Sequence, residues 1–77
     1  MTLYEYSLLE RDAQAIIVWQ DGRFLTYRNM GKVMVLLYNL YEFYVEVYYN
    51  NDDNSIIKFN PFSSKKRLEL YFEVNPN

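Results

Sequence analysis

The stretch KVMVLLYNLYEFYVEVYY, residues 32–49, decides how this chain folds. Two apolar arms flank Tyr41-Glu42, and in each arm the side chains alternate between two faces, as they do in a β-strand. The pattern predicts a β-hairpin. Its apolar face, called the inner face below, carries Met34, Leu36, Tyr38, Leu40, Phe43, Val45, Val47 and Tyr49. The opposite, outer face carries Val33, Val35, Leu37, Asn39, Tyr44, Glu46 and Tyr48.

Two pairings of these arms fit the sequence. A loop of Tyr41-Glu42 alone places Leu40 opposite Phe43, whereas a loop of residues 39–42 places Tyr38 opposite Phe43. Because the two registers differ by an even slip, each leaves every side chain on the same face. The assignment of faces therefore does not depend on the register.

Further strands are predicted on both sides of the hairpin. Residues 23–28 precede it through a turn in which Gly31 supplies a positive φ, and residues 55–60 follow the Asn- and Asp-rich loop 50–54. Pro61 cannot donate a ladder hydrogen bond and suits the end of an edge strand. Alternation puts Leu25, Tyr27, Ile57 and Phe59 on the inner face, and Phe24, Thr26, Arg28, Ile56 and Lys58 on the outer face. The sequence thus predicts a four-stranded antiparallel meander.

A helix is predicted before the sheet. Ser7-Leu8-Leu9-Glu10 matches a capping box, in which the serine and glutamate side chains bind early backbone N–H groups. Apolar residues then recur at helical spacing at Leu9, Ala13, Ile16 and Ile17. Asp21-Gly22 has the composition of a helix end.

Residues 64–74 fit two structures. Leu68, Leu70, Phe72 and Val74 alternate as in a strand, whereas Leu68, Tyr71 and Phe72 form a helical stripe that Ser63 or Ser64 would cap. Basic residues at 65–67 would oppose the dipole of such a helix. The pattern alone leaves both structures open.

The hairpin and the C-terminal region together carry a resemblance. Leu37-Tyr38-Asn39-Leu40, Phe43-Tyr44-Val45-Glu46-Val47-Tyr48-Tyr49, and Phe62-Ser63-Ser64 with Leu68-Glu69 and Tyr71 resemble a group of short, uncharacterised bacterial proteins. The resemblance implies a helix, a four-stranded sheet and a C-terminal helix. It favours the α+β order α-β-β-β-β-α and implies no activity.

The composition limits the classes of protein to consider. Seventy-seven residues predict a single domain, 1–77, with a small core that oligomerisation would help to stabilise. No disulfide can form, because the chain has no cysteine. The start of the chain lacks a secretory pattern, no apolar run is long enough to span a membrane, and the net charge is −2. We expect a cytoplasmic protein with no membrane or nucleic-acid partner.

Few residue types suited to catalysis are present. The chain has neither histidine nor cysteine, so the commonest general base, metal ligand and nucleophile are missing. Asp52-Asp53-Asn54 fails the calcium-loop pattern, and Ser63-Ser64-Lys65-Lys66 has the Ser-x-x-Lys spacing without the further motifs of acyl-transfer enzymes. We therefore predict no enzyme activity, no catalytic residue, no cofactor and no metal.

The outer face is too apolar for a soluble monomer if it is left uncovered. We predict that both helices cover the inner face and that the outer face forms a homodimer or binds another protein. The predicted interaction residues are Phe24, Val35, Leu37, Tyr44, Glu46 and Tyr48. The alternative is a nucleic-acid-binding accessory protein that uses basic residues beside the sheet aromatics.

Overall fold

The computed structural model describes residues 1–72 as a four-stranded antiparallel sheet flanked by short helices. The elements in chain order are α1 Leu3–Ser7, α2 Arg11–Asp21, β1 Arg23–Met30, β2 Val33–Leu40, β3 Phe43–Asn50, β4 Ile56–Phe62, α3 Lys65–Leu68 and a 3-10 turn at Glu69–Tyr71. The predicted meander and α+β class are confirmed, with a C-terminal helix of only four residues. The part of segment 64–74 beyond Phe72 lies outside the described residues.

The first two hairpins, β1–β2 and β2–β3, close with two-residue turns. Leu40 pairs with Phe43, which selects the shorter of the two predicted loops, and Tyr41 takes a φ of 57°. Met30 pairs with Val33 around Gly31, whose φ is 76°, so the first hairpin is two residues tighter than a turn over residues 29–32. Because the pairing differs from the predicted one by two residues, each side chain stays on its predicted face, except where a bulge occurs.

Two β-bulges reverse the predicted faces at the outer strands. The register shifts at Leu25, so that Phe24 pairs with Tyr38 on the inner face. It also shifts at Ile57, so that Ile56 packs against the core and Ile57 is exposed. The predictions for Phe24, Ile56 and Ile57 were wrong because one extra residue in a strand reverses the alternation beyond it.

The N-terminal region forms two helices instead of one. The capping box is Thr2 with Glu5, while the Ser7 hydroxyl donates to the Tyr4 carbonyl. The end predicted at Asp21-Gly22 is confirmed, although Gly22 has a negative φ. Glycine suits this position because a Cβ atom there would lie 2.5 Å from the Val18 carbonyl oxygen.

The core lies between α1, α2 and the inner face. Its buried members are Tyr6, Val18, Leu40, Phe43, Val45 and Val47. Ile16, predicted to be in the helical stripe, is exposed instead. Among residues 1–72, no helix has the length and apolar content needed to cross a membrane.

The C-terminal residues do not join α1 and α2 on the inner face. Residues 63–72, called the crossing segment below, leave β4 and cross the outer face, where Arg67 and Tyr71 bind Glu46 of β3 and the 3-10 turn contacts β1. The prediction that both helices cover the inner face was therefore wrong. A buried carboxylate at position 46 requires partners on its own side of the sheet, and the crossing segment supplies them.

The two edges of the sheet differ. Backbone bonding alternates along each antiparallel strand, and the two-residue turns after β1 and β2 fix which residues bond to which neighbour. It follows that Tyr27 and Asn29 on β1, and Phe59 and Pro61 on β4, direct their backbone groups away from the sheet. On β4, Pro61 has no N–H to offer and Arg11 binds the Ile56 carbonyl. Edge β1 has no proline.

Candidate functional site

The six predicted interaction residues fall into three environments. Val35, Leu37 and Glu46 are buried within the described chain, and Tyr44 and Tyr48 are half-buried beside them. Phe24 lies on the inner face and is 50% exposed. Nothing observed tests a role in association for these residues. Burial of three of them nevertheless shows that the outer face is not an open surface.

Glu46 is the centre of a polar cluster under the crossing segment. One carboxylate oxygen, Oε1, accepts from Asn60 Nδ2 and Arg67 Nε, both at 2.8 Å. The other, Oε2, accepts from the Tyr71 hydroxyl at 2.5 Å and lies 3.6 Å from an Arg28 guanidinium nitrogen. These five residues are called the Glu46 cluster below. They come from β1, β3, β4 and the crossing segment, so the cluster joins distant parts of the chain.

Cations and aromatic rings surround this cluster. The Arg28 guanidinium lies 5.4 Å from the centroid of the Tyr71 ring. Arg67 also donates to the Tyr48 hydroxyl at 3.2 Å. Two positive groups thus flank one buried negative group, which balances the charge that burial would otherwise penalise.

The hydrogen bonds keep Glu46 ionised. Burial alone would raise the pKa of Glu46, but hydrogen bonds from Tyr71, Asn60 and Arg67, together with the charge of Arg67, outweigh it and lower that pKa. The hydrogen bond to Glu46 raises the pKa of Arg67. Burial and the same carboxylate raise the pKa of Tyr71. Each group is held in the protonation state that it has at neutral pH, so the cluster acts as a fixed ion pair network.

This arrangement suits a structural role. A general acid or base needs a pKa near the working pH, and here the pKa of Glu46 moves away from neutrality. No group of three or more His, Cys, Asp or Glu side chains within residues 1–72 is placed to hold a metal ion. The cluster fastens the crossing segment to the sheet.

Acid should weaken this fastening. The folded-state pKa of Glu46 lies below the usual value of 4.5, so its stabilising effect is complete above that value and is lost as pH falls through the folded-state pKa. We expect the free energy of unfolding to fall more steeply below about pH 4.5 in the wild type than in Glu46→Gln. Denaturant titrations of both proteins across this range measure the difference. Parallel pH curves would contradict the role given to Glu46.

Several large apolar side chains are exposed on edge strand β1 and on α2. Trp19 and Phe24 both contact the Tyr38 ring, with centroids 5.8 Å and 5.6 Å from it. Trp19 also lies 6.1 Å from the Phe59 ring of β4. Leu25 and Tyr27 follow Phe24 on β1, and Ile16 lies one turn before Trp19 on α2. We call these five residues the β1 patch: Ile16, Trp19, Phe24, Leu25 and Tyr27. Their exposed fractions run from 43% to 55%, which is high for large apolar side chains.

Sequence reasoning missed most of this organisation. Glu46 was assigned to the outer face, but its partners Asn60, Arg67 and Tyr71 were not. A signal for the cluster was present, because a carboxylate centred in an apolar strand needs a cation on the same face, and alternation already placed Arg28 there. The β1 patch had no such signal, since it depends on the bulge at Leu25 and on where α2 lies.

Comparison of the chain with protein-family models, curated proteins and solved structures gives no match.

Proposed function

We propose that this protein is a small non-enzymatic protein–protein interaction module that associates with itself as a homodimer. The observation that carries the proposal is the β1 patch, in which five large apolar side chains on β1 and α2 are each about half exposed. Contiguous apolar surface of this kind is typical of interaction sites. A domain of this size also gains stability from association, because its own core is small.

The proposal moves the interface from the outer face to the β1 patch. Val35 and Leu37 are already buried in one chain, so they have little apolar area left to bury against a partner. Trp19 and Tyr27 have about half of their surface free, and tryptophan and tyrosine are enriched at the centres of interfaces.

The absence of an activity is part of the same proposal. The chain has no histidine or cysteine, and its buried carboxylate is engaged by the Glu46 cluster. We place the module in the cytoplasm, in keeping with a chain that lacks the disulfides common in small secreted domains. Membership of the resembled group of short bacterial proteins stays a prediction.

Self-association can be measured directly. We expect sedimentation at twice the chain mass of 9.4 kDa at micromolar to millimolar concentration. Tyr27→Lys should raise the dimer dissociation constant at least about tenfold, because it places a charge where apolar surface would be buried. Circular dichroism should show an unchanged fold.

Tyr4→Lys is the matched control, since Tyr4 is 69% exposed on α1 and lies outside the β1 patch. A wild-type monomer throughout the concentration range would refute the proposal. Equal weakening of the dimer by both variants would show that the β1 patch is not the interface.

Nucleic-acid binding is the second candidate function, favoured by the cations on the outer face. The Lys58 ammonium lies 4.5 Å from the centroid of the Tyr48 ring, and the Arg67 guanidinium 5.8 Å from that of Phe62. Glu46 lies on the same face, but it is buried and paired with Arg67, so it offers little repulsion to phosphate. A groove beside the crossing segment is lined by Ser64, Lys66, Arg67, Glu69 and Leu70.

We expect no binding of fluorescent single-stranded or duplex oligonucleotides at physiological salt, because the net charge is −2. A salt-sensitive dissociation constant in the micromolar range or tighter would favour the second candidate. In that event, Lys65→Glu with Lys66→Glu should weaken binding and reduce the salt slope by about one for each phosphate that is no longer neutralised.

A further inference from the structure

The free edge of β1 offers backbone groups as well as apolar side chains. Tyr27 and Asn29 direct their N–H and C=O groups away from β2, because the pairs Met30–Val33 and Arg28–Val35 carry the bonds of that hairpin. Within residues 1–72, no strand lies on this side of β1. Unpaired strand edges bind further strands readily unless a proline, a bulge or a charge prevents it.

The opposite edge has such protection. Pro61 has no N–H to direct outward from β4, and the bulge at Ile57 interrupts the ladder of hydrogen bonds. The Arg11 side chain also donates a hydrogen bond to the Ile56 carbonyl. On β1, the bulge at Leu25 lies near the start of the strand, which leaves Thr26–Met30 regular. Of the two edges of the sheet in residues 1–72, β1 is therefore the less protected.

We infer that two copies of this chain pair antiparallel through β1, forming one continuous eight-stranded sheet about a twofold axis at Tyr27. The inference rests on the proposed self-association and names its mode. An antiparallel edge is self-complementary, because each outward residue presents both a donor and an acceptor to its symmetry mate.

Charge and side-chain size select the position of the axis. An axis at Arg28 would set two arginines directly opposite each other, which is unfavourable for a cross-strand pair. An axis at Tyr27 instead sets Arg28 against Thr26 and brings together the two Tyr27 side chains, which are 55% exposed in one chain. The same axis sets the Asn29 N–H opposite the Leu25 carbonyl, which points outward because the Thr26 N–H of the same peptide points to Leu37. The inner faces of the two sheets then join at Tyr27, with Phe24 of each chain on the same face.

Amide hydrogen exchange at two protein concentrations tests this pairing in the full-length wild type. The protein is labelled in deuterated buffer while dilute or concentrated, then quenched and read by NMR. We expect exchange of the Tyr27 and Asn29 amides to slow by an order of magnitude or more in the concentrated sample. The Arg28 amide bonds within the chain and should be protected in both samples.

The outcomes separate this inference from the proposed function. A dimer in which the Tyr27 and Asn29 amides stay unprotected would overturn strand pairing while leaving self-association intact. Equal protection in samples that sedimentation shows to be monomeric and dimeric would show that the edge is covered within one chain and would also overturn the pairing. A monomer at all concentrations would overturn both.

A pair of variants gives a second, independent readout. Asn29→Pro removes an outward N–H and should abolish the dimer, whereas Asn29→Ala removes only the side chain and should keep it. Proline is tolerated on an edge strand where the N–H faces solvent, so the monomer should keep its circular dichroism spectrum. A dimer of unchanged affinity in Asn29→Pro would contradict the inference. If this variant does not fold, amide exchange in the wild type decides.

Discussion

Replacement of Glu46 by alanine is expected to destabilise this protein by about 3 kcal/mol. Removing one partner of a buried ion pair costs about 3–5 kcal/mol, because the remaining charged groups keep their desolvation cost without compensation. The lower end applies here, since the Arg67 side chain is 36% exposed and can be rehydrated. A single core of this size often supplies only about 3–5 kcal/mol, so this change removes most of the stability.

Urea denaturation followed by circular dichroism measures this effect by linear extrapolation. Glu69→Ala is the matched control, because Glu69 is an exposed glutamate in the crossing segment and its loss should change stability by less than about 0.5 kcal/mol. Similar unfolding midpoints for the two variants would show that the crossing segment is not held by Glu46.

Replacement of Leu40 by alanine is expected to destabilise the protein by about 2–5 kcal/mol, through reduced apolar burial and the cavity left behind. Leu40 is completely buried in the core under α1 and α2. The same measurement on Leu70→Ala gives the control, since Leu70 is 53% exposed on the crossing segment and should change stability by less than about 0.5 kcal/mol.

This second pair of variants tests the two-sided architecture. If the crossing segment directed Leu70 into the sheet, Leu70→Ala would cost as much as Leu40→Ala. The expected large difference follows because Leu40 is completely buried, whereas Leu70 keeps about half of its surface exposed. An equal loss of stability in both variants would refute that arrangement.

The central hairpin was predictable from its own residues. Alternation over residues 33–49 places Val45 and Val47 on the inner face and Glu46 on the outer face, as the structure has them. This succeeds because a period of two is a local property of extended backbone, and neither register changes it. The end of α2 at Gly22 was predictable for the same reason, because it depends on residues next to each other in the chain.

The outer strands were not predictable in this way. The bulges at Leu25 and Ile57 put Phe24 and Ile56 on the inner face, where the alternation had put their neighbours. A bulge depends on how a strand pairs with the next strand, which the local pattern does not show. The capping box was likewise ambiguous, because Thr2–Glu5 and Ser7–Glu10 both match it. The structure uses the first, which begins the short helix that carries the buried Tyr6.

The sequence by itself therefore determined the hairpin, the meander and the assignment of Glu46 to the outer face, because each depends on neighbours along the chain. Only the tertiary structure decided what covers that face. The bond from Arg67 to Glu46 spans 21 positions, and no local pattern encodes it. A buried carboxylate must be compensated by groups on its own side of the sheet. That requirement explains why the crossing segment lies on the outer face.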